Sequence, residues 1–397
     1  MENQNGTLVT LSPCVSVVKR VEAFCRIEGD SGHYRFILIF GYIMLWSVNI
    51  KYLRMRHATC AILLVVLLIN TICGQEGQKP LPIIDMHLHA LPSNYMGPAP
   101  LAFCLPTKQW PLKEFDKPYK ETFVAWEKDP LSIDPDCENP IWSLTSDAEI
   151  MIKTFEIMKK RNIIGVTSGP LTKVYQKENP ERIIPGLMFD LMHSKISIDS
   201  LKALFSKGEF EVFGEITNQY SGIEPDDIRF QEYLKVAAEM NIPVGIHMGP
   251  GPPGIAYVNS PNYRGSLHDP LLLEEVLIKF PDLRIYISHA GWPMIDNLLA
   301  LLWTHPQVYV DIGVIVYALP PKEFHKFLQR IVEAGFGNRV MFGSDQMVWP
   351  ETLEISVRTI ENAPYLTEPE KRNILYNNAA RFLNLSKETI EKHHKMK

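Results

Sequence analysis

The sequence lacks a long block of lysine or arginine residues, and its formal net charge at pH 7 is −5. Domains that bind nucleic acids usually carry clustered basic residues, so we expect no nucleic-acid partner. Internal repeats and low-complexity tracts are also missing, which excludes a repeat architecture. Hydrophobic residues make up 46% of the 397 residues and charged residues 21%. This composition can fill a large core, in one large α/β domain or two ordinary ones.

The N-terminal part contains no hydrophobic run as long as the ~20 residues that comfortably span a bilayer. Two shorter runs, 36–48 and 58–69, flank a basic stretch at 51–57. The second run has the layout of a secretory signal, in which small or polar residues follow an apolar core. We expect translation from Met55, cleavage after Cys73 and an exported protein, either periplasmic or secreted. The alternative is an uncleaved N-terminal segment that anchors the protein to a membrane.

Cysteine is scarce, with six residues in the whole chain. Only Cys104 and Cys137 lie beyond the N-terminal segment. An oxidising compartment would permit a disulfide between them, and two free, partly buried thiols are the alternative.

Beyond residue 80, short segments rich in Ile, Val, Phe or Tyr alternate with amphipathic helical patterns. Eight such units over roughly 300 residues match the size of a (β/α)8 barrel, the TIM-barrel architecture. A doubly wound sheet is the alternative, but near-continuous apolar strands favour closure. The predicted strands are 82–90, 162–168, 182–190, 212–217, 243–248, 283–289, 308–313 and 339–345. The predicted helices are 147–160, 198–207, 228–240, 270–280, 294–304, 321–334, 351–361 and 368–383.

These patterns divide the chain into three parts. We predict an N-terminal extension over 1–77, a catalytic barrel domain over 78–390 and a polar tail over 391–397. The segment 91–146, between the first strand and the first helix, is rich in Pro, Trp and Phe. Connections that follow barrel strands lie on the catalytic face, and long loops in compact domains usually serve function. This insertion is therefore expected to form a roof over the pocket.

The most informative motif is His87-Leu88-His89, at the end of the first predicted strand. Side chains alternate along a strand, so both imidazoles emerge on the same face. Two converging imidazoles can begin a divalent metal site, although short H-x-H matches also arise by chance. The motif gains weight only when other strands end in matching ligands.

Four other predicted strands end in such residues, namely Glu215, His247, His289 and Asp345. Because the C-terminal ends of parallel barrel strands face one mouth, these side chains are expected to converge with the histidine pair. Four imidazoles and two carboxylates suit zinc, manganese or iron better than magnesium or calcium. We expect one or two divalent ions, with zinc as the first choice.

Each of these residues also has a structural interpretation. His247 could be a hydrogen-bonded core histidine, and Asp345 could cap the following helix. Uncompensated charge gathered at a buried barrel end is costly, however, and a metal ion would supply the compensation. The coincidence of positions favours the metal site.

The combination resembles the amidohydrolase superfamily, close to its amidohydrolase-2 branch of TIM-barrel metal-dependent hydrolases. The resemblance covers 82–384 and rests on the H-x-H motif, the two later histidines and the aspartate after the eighth strand. It implies that His87, His89 and Asp345 hold the more buried metal ion.

The resemblance further implies that His247 and His289 hold a second ion where one is present. A residue from the fourth strand then bridges the two ions. Many relatives use a carboxylated lysine as this bridge, whereas the present chain offers Glu215.

The function implied by the resemblance is a hydrolase, in which a metal-activated water attacks an amide, ester or lactone carbonyl. Asp345 is the expected general base and proton donor. The alternative from the same branch is a mononuclear metal-dependent carboxy-lyase that decarboxylates an aromatic or unsaturated carboxylic acid. In that enzyme His289 would be catalytic and Glu215 incidental. A catalytically silent metal-binding protein is a third interpretation, against which the presence of both Asp345 and His289 argues.

Recognition of a small-molecule substrate is expected from the loops at the mouth. Arg264 could bind a substrate carboxylate through a bidentate pair, with a surface ion pair as the alternative. Tyr257 and Trp292 are further candidate contacts, with packing as their alternative role. Asp85 could orient an imidazole ligand or cap a loop. A homo-oligomer is also compatible with the sequence.

Overall fold

The computed structural model describes residues 80–107, 113, 115–118, 131–132, 135, 137–257 and 260–396, together with three short N-terminal strands. These strands form an antiparallel sheet of their own: β1 (Ile27–Asp30), β2 (His33–Phe36) and β3 (Trp46–Val48). The predicted signal core, the start at Met55 and the cleavage site after Cys73 lie outside the described residues. Within the described part of the chain, no helix is both long and apolar enough to cross a membrane.

An eight-stranded parallel sheet forms the centre of a second compact unit, Lys79–Lys397. In sheet order its strands are β4 (Ile83–His89), β8 (Ile163–Ser168), β9 (Ile183–Phe189), β10 (Val212–Ile216), β11 (Val244–His247), β12 (Ile285–Ser288), β13 (Val308–Asp311) and β14 (Val340–Met341). Backbone hydrogen bonds then join the two ends of the sheet. The Met86 amide donates to the Phe342 carbonyl at 2.9 Å, and the Asp345 amide donates to the His87 carbonyl at 2.6 Å. The sheet is thereby closed into the predicted (β/α)8 barrel.

Helices follow the strands and cover the barrel. They are α1 (Asp147–Arg161), α2 (Thr172–Glu178), α3 (Ile198–Ser206), α4 (Ile228–Glu239), α5 (Glu274–Lys279), α6 (Ile295–Thr304), α7 (Ile315–Ala318), α8 (Pro321–Ile331), α9 (Glu351–Glu361), α10 (Glu368–Arg372), α11 (Asn378–Phe382) and α12 (Lys387–Lys395). Helix α1 begins at its predicted residue because Ser146 and Glu149 form a capping box, each side chain bonding the other's amide. Helix α9 has the bounds that the sequence predicts.

Helix α12 includes most of the polar C-terminal tail that the sequence predicts. Residues 391–395, assigned to a polar tail from sequence, lie within this helix. His393 is buried, and its Nδ1 lies 3.0 Å from the Tyr376 hydroxyl. Its carbonyl accepts a hydrogen bond from Asn162. The burial of His393, with Ile390 packed on the core and the ring of His394 against Tyr376, attaches this helix to the barrel.

The core has two layers, one inside the barrel and one between the barrel and its helices. Ile84, Met86 and Tyr286 belong to the inner layer, where Phe382 of α11 also packs. Leu88 belongs to the outer layer, which faces the helices. Two strands depart from regular pairing: register shifts occur between Asp85 and Leu88 in β4 and between Phe213 and Ile216 in β10. Such bulges re-aim side chains near active sites, and these two shifts span predicted ligands.

The insertion 91–146 contains regular structure that its sequence does not predict. Three short strands, β5 (Ala102–Phe103), β6 (Leu131–Ser132) and β7 (Ile141–Trp142), form an antiparallel sheet in the order β6-β5-β7. The Trp349 indole donates a 2.8 Å hydrogen bond to the Leu101 carbonyl and so ties this sheet to the barrel. Described residues of the insertion line the cavity at the barrel mouth, as the predicted roof requires.

A disulfide joins Cys104 and Cys137, which confirms the pairing considered from sequence. It connects the residue after β5 with a residue shortly before β7 and so closes a loop within the insertion. The bond restricts the unfolded chain and stabilises the roof through this restriction.

Replacing both cysteines, Cys104→Ser with Cys137→Ser, should lower the free energy of unfolding by up to about 3 kcal/mol. Guanidinium unfolding followed by tryptophan fluorescence measures the loss. Each single variant should lose as much as the double variant, because either one abolishes the same bond. Additive losses from the two single variants would show that the thiols act independently and would contradict the disulfide.

Candidate metal centre

The carboxyl ends of the first, fourth, fifth, sixth and eighth barrel strands bring the six predicted ligands together. We call these residues the ligand cluster: His87, His89, Glu215, His247, His289 and Asp345. All six are buried. Their nitrogen and oxygen atoms form three overlapping trios, and the atoms of each trio lie within 4.8 Å of one another. The trios are His87, His289 and Asp345; His87, His89 and Glu215; and Glu215, His247 and His289.

Glu215 lies at the middle of the ligand cluster. Its Oε1 is 2.6 Å from His247 Nδ1 and 3.5 Å from both His87 Nε2 and His289 Nε2. Its Oε2 is 3.7 Å from His89 Nε2. One carboxylate therefore lies close to all four imidazoles. This is the position expected of a residue that belongs to two sets of metal ligands.

Asp345 occupies the other side of the histidine pair. Its Oδ1 is 3.1 Å from His89 Nε2 and 4.0 Å from His87 Nε2. Its backbone φ is 51°, in the left-handed region, and the Tyr317 hydroxyl donates a 2.6 Å hydrogen bond to its carbonyl. A non-glycine residue costs about 1–3 kcal/mol in such a conformation. The surrounding contacts thus hold the backbone of Asp345 in an unfavourable conformation, and this conformation sets the position of the carboxylate.

A third buried carboxylate, Asp311 at the end of β13, orients two of the histidines. Its Oδ2 lies 3.0 Å from His87 Nδ1, and its Oδ1 accepts a 3.0 Å hydrogen bond from the His289 amide. This role was not among the sequence predictions. Asp311 lies near the end of the predicted strand 308–313, so the rule that identified the candidate ligands could have indicated it. Asp85, considered for this role, instead accepts from the amides of His87 and Ser344, both at 2.9 Å.

Close approach of two loops also fixes His289. The Nδ1 of His289 donates to the Gly313 carbonyl at 2.8 Å, which directs Nε2 towards His247 and Glu215. Its backbone φ is 62°. A Cβ atom at Gly249 would lie 2.3 Å from His289 Cβ, so only glycine permits this packing.

The donor set fits a divalent cation. In its neutral form His87 donates its Nδ1 hydrogen to Asp311, and its Nε2 then presents a lone pair towards Glu215 and Asp345. That buried nitrogen has no hydrogen-bond partner among the described residues. An unsatisfied buried nitrogen is costly, and a cation would satisfy it. Nitrogen and oxygen donors in this mixture suit zinc, manganese or iron.

The carboxylates of the cluster are held in their charged forms. Burial alone would raise the pKa of Glu215, but the charges of His87 and His247 hold it well below its usual range. The pKa of Asp345 is likewise lowered, because the charges of His87 and His89 outweigh the effect of burial. Both groups are therefore available at neutral pH as anionic ligands or bases.

Residues 84–385 match the sequence profile of the amidohydrolase family. The chain belongs to this family. It is thus an enzyme, from a family that acts on small molecules and uses divalent metal ions. The six residues that could hold such ions in this amidohydrolase are those of the ligand cluster.

No curated protein matches this amidohydrolase in sequence. Among solved structures, an uncharacterized TIM-barrel protein from Bordetella bronchiseptica has a TM-score of 0.52 at 17% identity, covering 77% of this chain and 99% of that one. A 5-carboxyvanillate decarboxylase from Sphingomonas paucimobilis has a TM-score of 0.47 at 14% identity, covering 77% and 100%. A probable 2-pyrone-4,6-dicarboxylic acid hydrolase from Acinetobacter baumannii has a TM-score of 0.46 at 15% identity, covering 77% and 100%. The first of these similarities shows the fold.

A cavity of about 1810 Å³ opens above the cluster of this amidohydrolase. All cluster residues except His87 line it, so His87 lies deepest. The three predicted substrate contacts, Arg264, Tyr257 and Trp292, also line it. Arg264 Nη1 donates to two backbone carbonyls, and no carboxylate pairs with it among the described residues. These three residues therefore lie on the wall of the cavity, and their contact with a substrate stays a prediction.

Replacing Asp311 with Asn should weaken metal binding by about 10–100-fold. The amide keeps the size of the carboxylate but removes the charge that stabilises the Nδ1 proton of His87. Competition against a zinc-sensitive dye measures the affinity. Asp282→Asn, in the loop before β12, is the matched control and should keep the wild-type affinity. Equal zinc affinity in Asp311→Asn and the wild type would contradict the orienting role.

Proposed function

We propose that this amidohydrolase is a metal-dependent hydrolase that cleaves an amide, ester or lactone. The observation that carries the proposal is the position of Glu215 within reach of four imidazoles. In this assignment His87, His89 and Asp345 hold one ion, His247 and His289 hold another, and Glu215 belongs to both sets. A bound divalent ion, zinc in the first instance, supplies Lewis acidity and lowers the pKa of water.

Asp345 is the proposed base. It lines the cavity, unlike His87 behind it, and its lowered pKa keeps it ionised. The carboxylate can accept a proton from the attacking water as the new carbon–oxygen bond forms. It can then return that proton to the leaving nitrogen or oxygen as the scissile bond breaks. The Nδ1 of His289 donates a hydrogen bond to the Gly313 carbonyl. In the neutral ring its Nε2 is therefore free of a proton and can bind an ion.

The residues of the cavity wall favour a small substrate that has an apolar part and an anionic part. One wall of the cavity is apolar and consists of Val314, Ile315, Met347 and Trp349. Arg264 lies on the same cavity without a carboxylate partner among the described residues, and its guanidinium could pair with a substrate carboxylate. We assign Tyr257 and Trp292 to the same outer wall.

We propose that the enzyme is exported. The Cys104–Cys137 disulfide supports this, because such bonds persist mainly in oxidising compartments. N-terminal sequencing of the protein recovered from its native source tests the proposal. A mature chain that begins near Gly74 is expected, and an intact, cytosolic chain would contradict it.

Removal of metal tests the hydrolase proposal. Purified protein should carry divalent ions by plasma mass spectrometry and should hydrolyse at least one compound in a screen of esters, lactones and amides. Treatment with a chelator should abolish that activity, and added zinc should restore it, because water activation depends on the ion. Hydrolytic activity that persists after complete removal of metal would contradict the proposal.

A further inference from the structure

Tyr220 occupies a firmly anchored turn directly after the strand that carries Glu215. The turn, Asn218–Ser221, is a single stretch of 3₁₀ helix. The Gln219 side chain donates to the Gly249 carbonyl at 3.0 Å and accepts from the Gly249 amide at 3.3 Å. Asn218 accepts a 2.8 Å hydrogen bond from the Leu191 amide. Contacts to both neighbouring loops therefore fix the backbone from which the phenol projects.

Packing on three sides fixes the ring of Tyr220. Its centroid lies 4.9 Å from that of His247 and 5.5 Å from that of Tyr263. On a third side the ring approaches the backbone of Gly251, where an added Cβ would lie 3.0 Å from Cε1 and 3.3 Å from the hydroxyl oxygen. Glycine at 251 leaves room for the phenol. The side chain has little freedom to turn away from the ligand cluster.

The hydroxyl group of Tyr220 is left available. Tyr263 and Tyr317 both use their hydroxyls in hydrogen bonds within the protein. Among the described residues, no hydrogen-bond partner lies within reach of the Tyr220 hydroxyl. Tyr220 lines the same cavity as Glu215 and Asp345. Tyr220 is half-buried, and a polar group held rigidly at the wall of a cavity is of the kind that fixes the orientation of a ligand.

We propose that the Tyr220 hydroxyl donates a hydrogen bond to the substrate oxygen that becomes negative during hydrolysis. This inference rests on the proposed function, since it assumes attack on a carbonyl at the ligand cluster. A donor fixed in advance stabilises developing charge without reorganising, and removal of one such donor typically costs about 10²–10³ in kcat. The proton stays on the phenol, so no bond to hydrogen breaks at this residue. Tyr220 then acts on the substrate directly.

The test compares Tyr220→Phe with Tyr233→Phe in the full-length protein. The first variant keeps the ring that packs on His247 and loses only the oxygen. The second loses a hydroxyl that bonds the Ile196 carbonyl at 2.8 Å, outside the ligand cluster. Measurements are zinc content, kcat and KM for p-nitrophenyl acetate, and calorimetric binding of benzohydroxamate, whose oxygens bind zinc.

Tyr220→Phe should keep the wild-type zinc content and KM within about 2-fold while kcat falls by about 10²-fold. Its benzohydroxamate affinity should fall at least about 10-fold, as expected for a hydrogen bond to a charged group. Tyr233→Phe should match the wild type throughout. Wild-type kcat and benzohydroxamate affinity in Tyr220→Phe would overturn the inference, and so would loss of zinc from that variant. A wild-type enzyme that binds zinc but cleaves none of the esters, lactones and amides in the screen would refute the hydrolase instead. Benzohydroxamate binding would then report only whether the Tyr220 hydroxyl bonds an oxygen of a bound ligand.

Discussion

Asparagine in place of Asp345 should lower kcat/KM by about 10²–10⁴-fold, the range expected when a general acid–base group is removed. In the proposed assignment the variant would also lose a metal ligand, because the amide cannot offer an anionic oxygen to a cation held with His87 and His89. The backbone that holds residue 345 is unaffected, since its amide bonds His87 and its carbonyl accepts from Tyr317. A large loss of activity should therefore occur in a folded protein.

The activity of Asp345→Asn is measured beside its metal content and its circular dichroism. Asp227→Asn is the control. Asp227 caps helix α4, away from the cavity, by accepting from the Arg229 amide. Asparagine is about as good an N-cap residue as aspartate, so this replacement should cost little stability. If Asp345→Asn retained activity within 10-fold of the control, the base would have to be another residue.

Replacing Glu215 with Gln should remove one of two bound ions and reduce hydrolysis severely. A neutral amide cannot balance two cations between four imidazoles, and its nitrogen would place a donor where a lone pair is needed. Metal analysis before and after dialysis should show two ions per chain in the wild type and one in the variant. Glu211→Gln is the matched control, because Glu211 precedes the same strand but lies outside the ligand cluster.

The same experiment separates the hydrolase from the carboxy-lyase. A mononuclear carboxy-lyase would bind one ion in the wild type, would keep it in Glu215→Gln and would release carbon dioxide from an aromatic or unsaturated acid. His289 would then act as a catalytic group. That set of results would exclude the hydrolase proposal and leave the ligand cluster as the site of a different reaction.

The barrel could be predicted from sequence because its signals are local. Each strand is an apolar run, and Ser146 with Glu149 marks the start of a helix within four residues. The convergence of the six candidate ligands could be predicted because barrel geometry brings residues at strand ends together in space.

Other features depend on contacts between distant segments, which no local pattern reports. The roof sheet forms because short strands pair across the insertion, and helix α12 is held by the burial of His393. The orienting role of Asp311 depends on His87, which lies 224 positions away in the chain. Aromatic residues such as Tyr220 occur throughout the sequence, and the position of this one on the cavity wall, in ring contact with His247, depends on the folded structure.

The residues that connect the first barrel strand, β4, to the last, β14, also surround the ligand cluster. Strand β14 has two residues, and much of the closure comes from the Asp345–His87 backbone bond and from Asp85, which joins the amides of His87 and Ser344. An ion held between the side chains of His87 and Asp345 would therefore link the first and last strands and stabilise the closure of the barrel. Affinity for the ion and resistance to heat become linked quantities, so changes in metal supply would alter how long the enzyme survives as well as how fast it works.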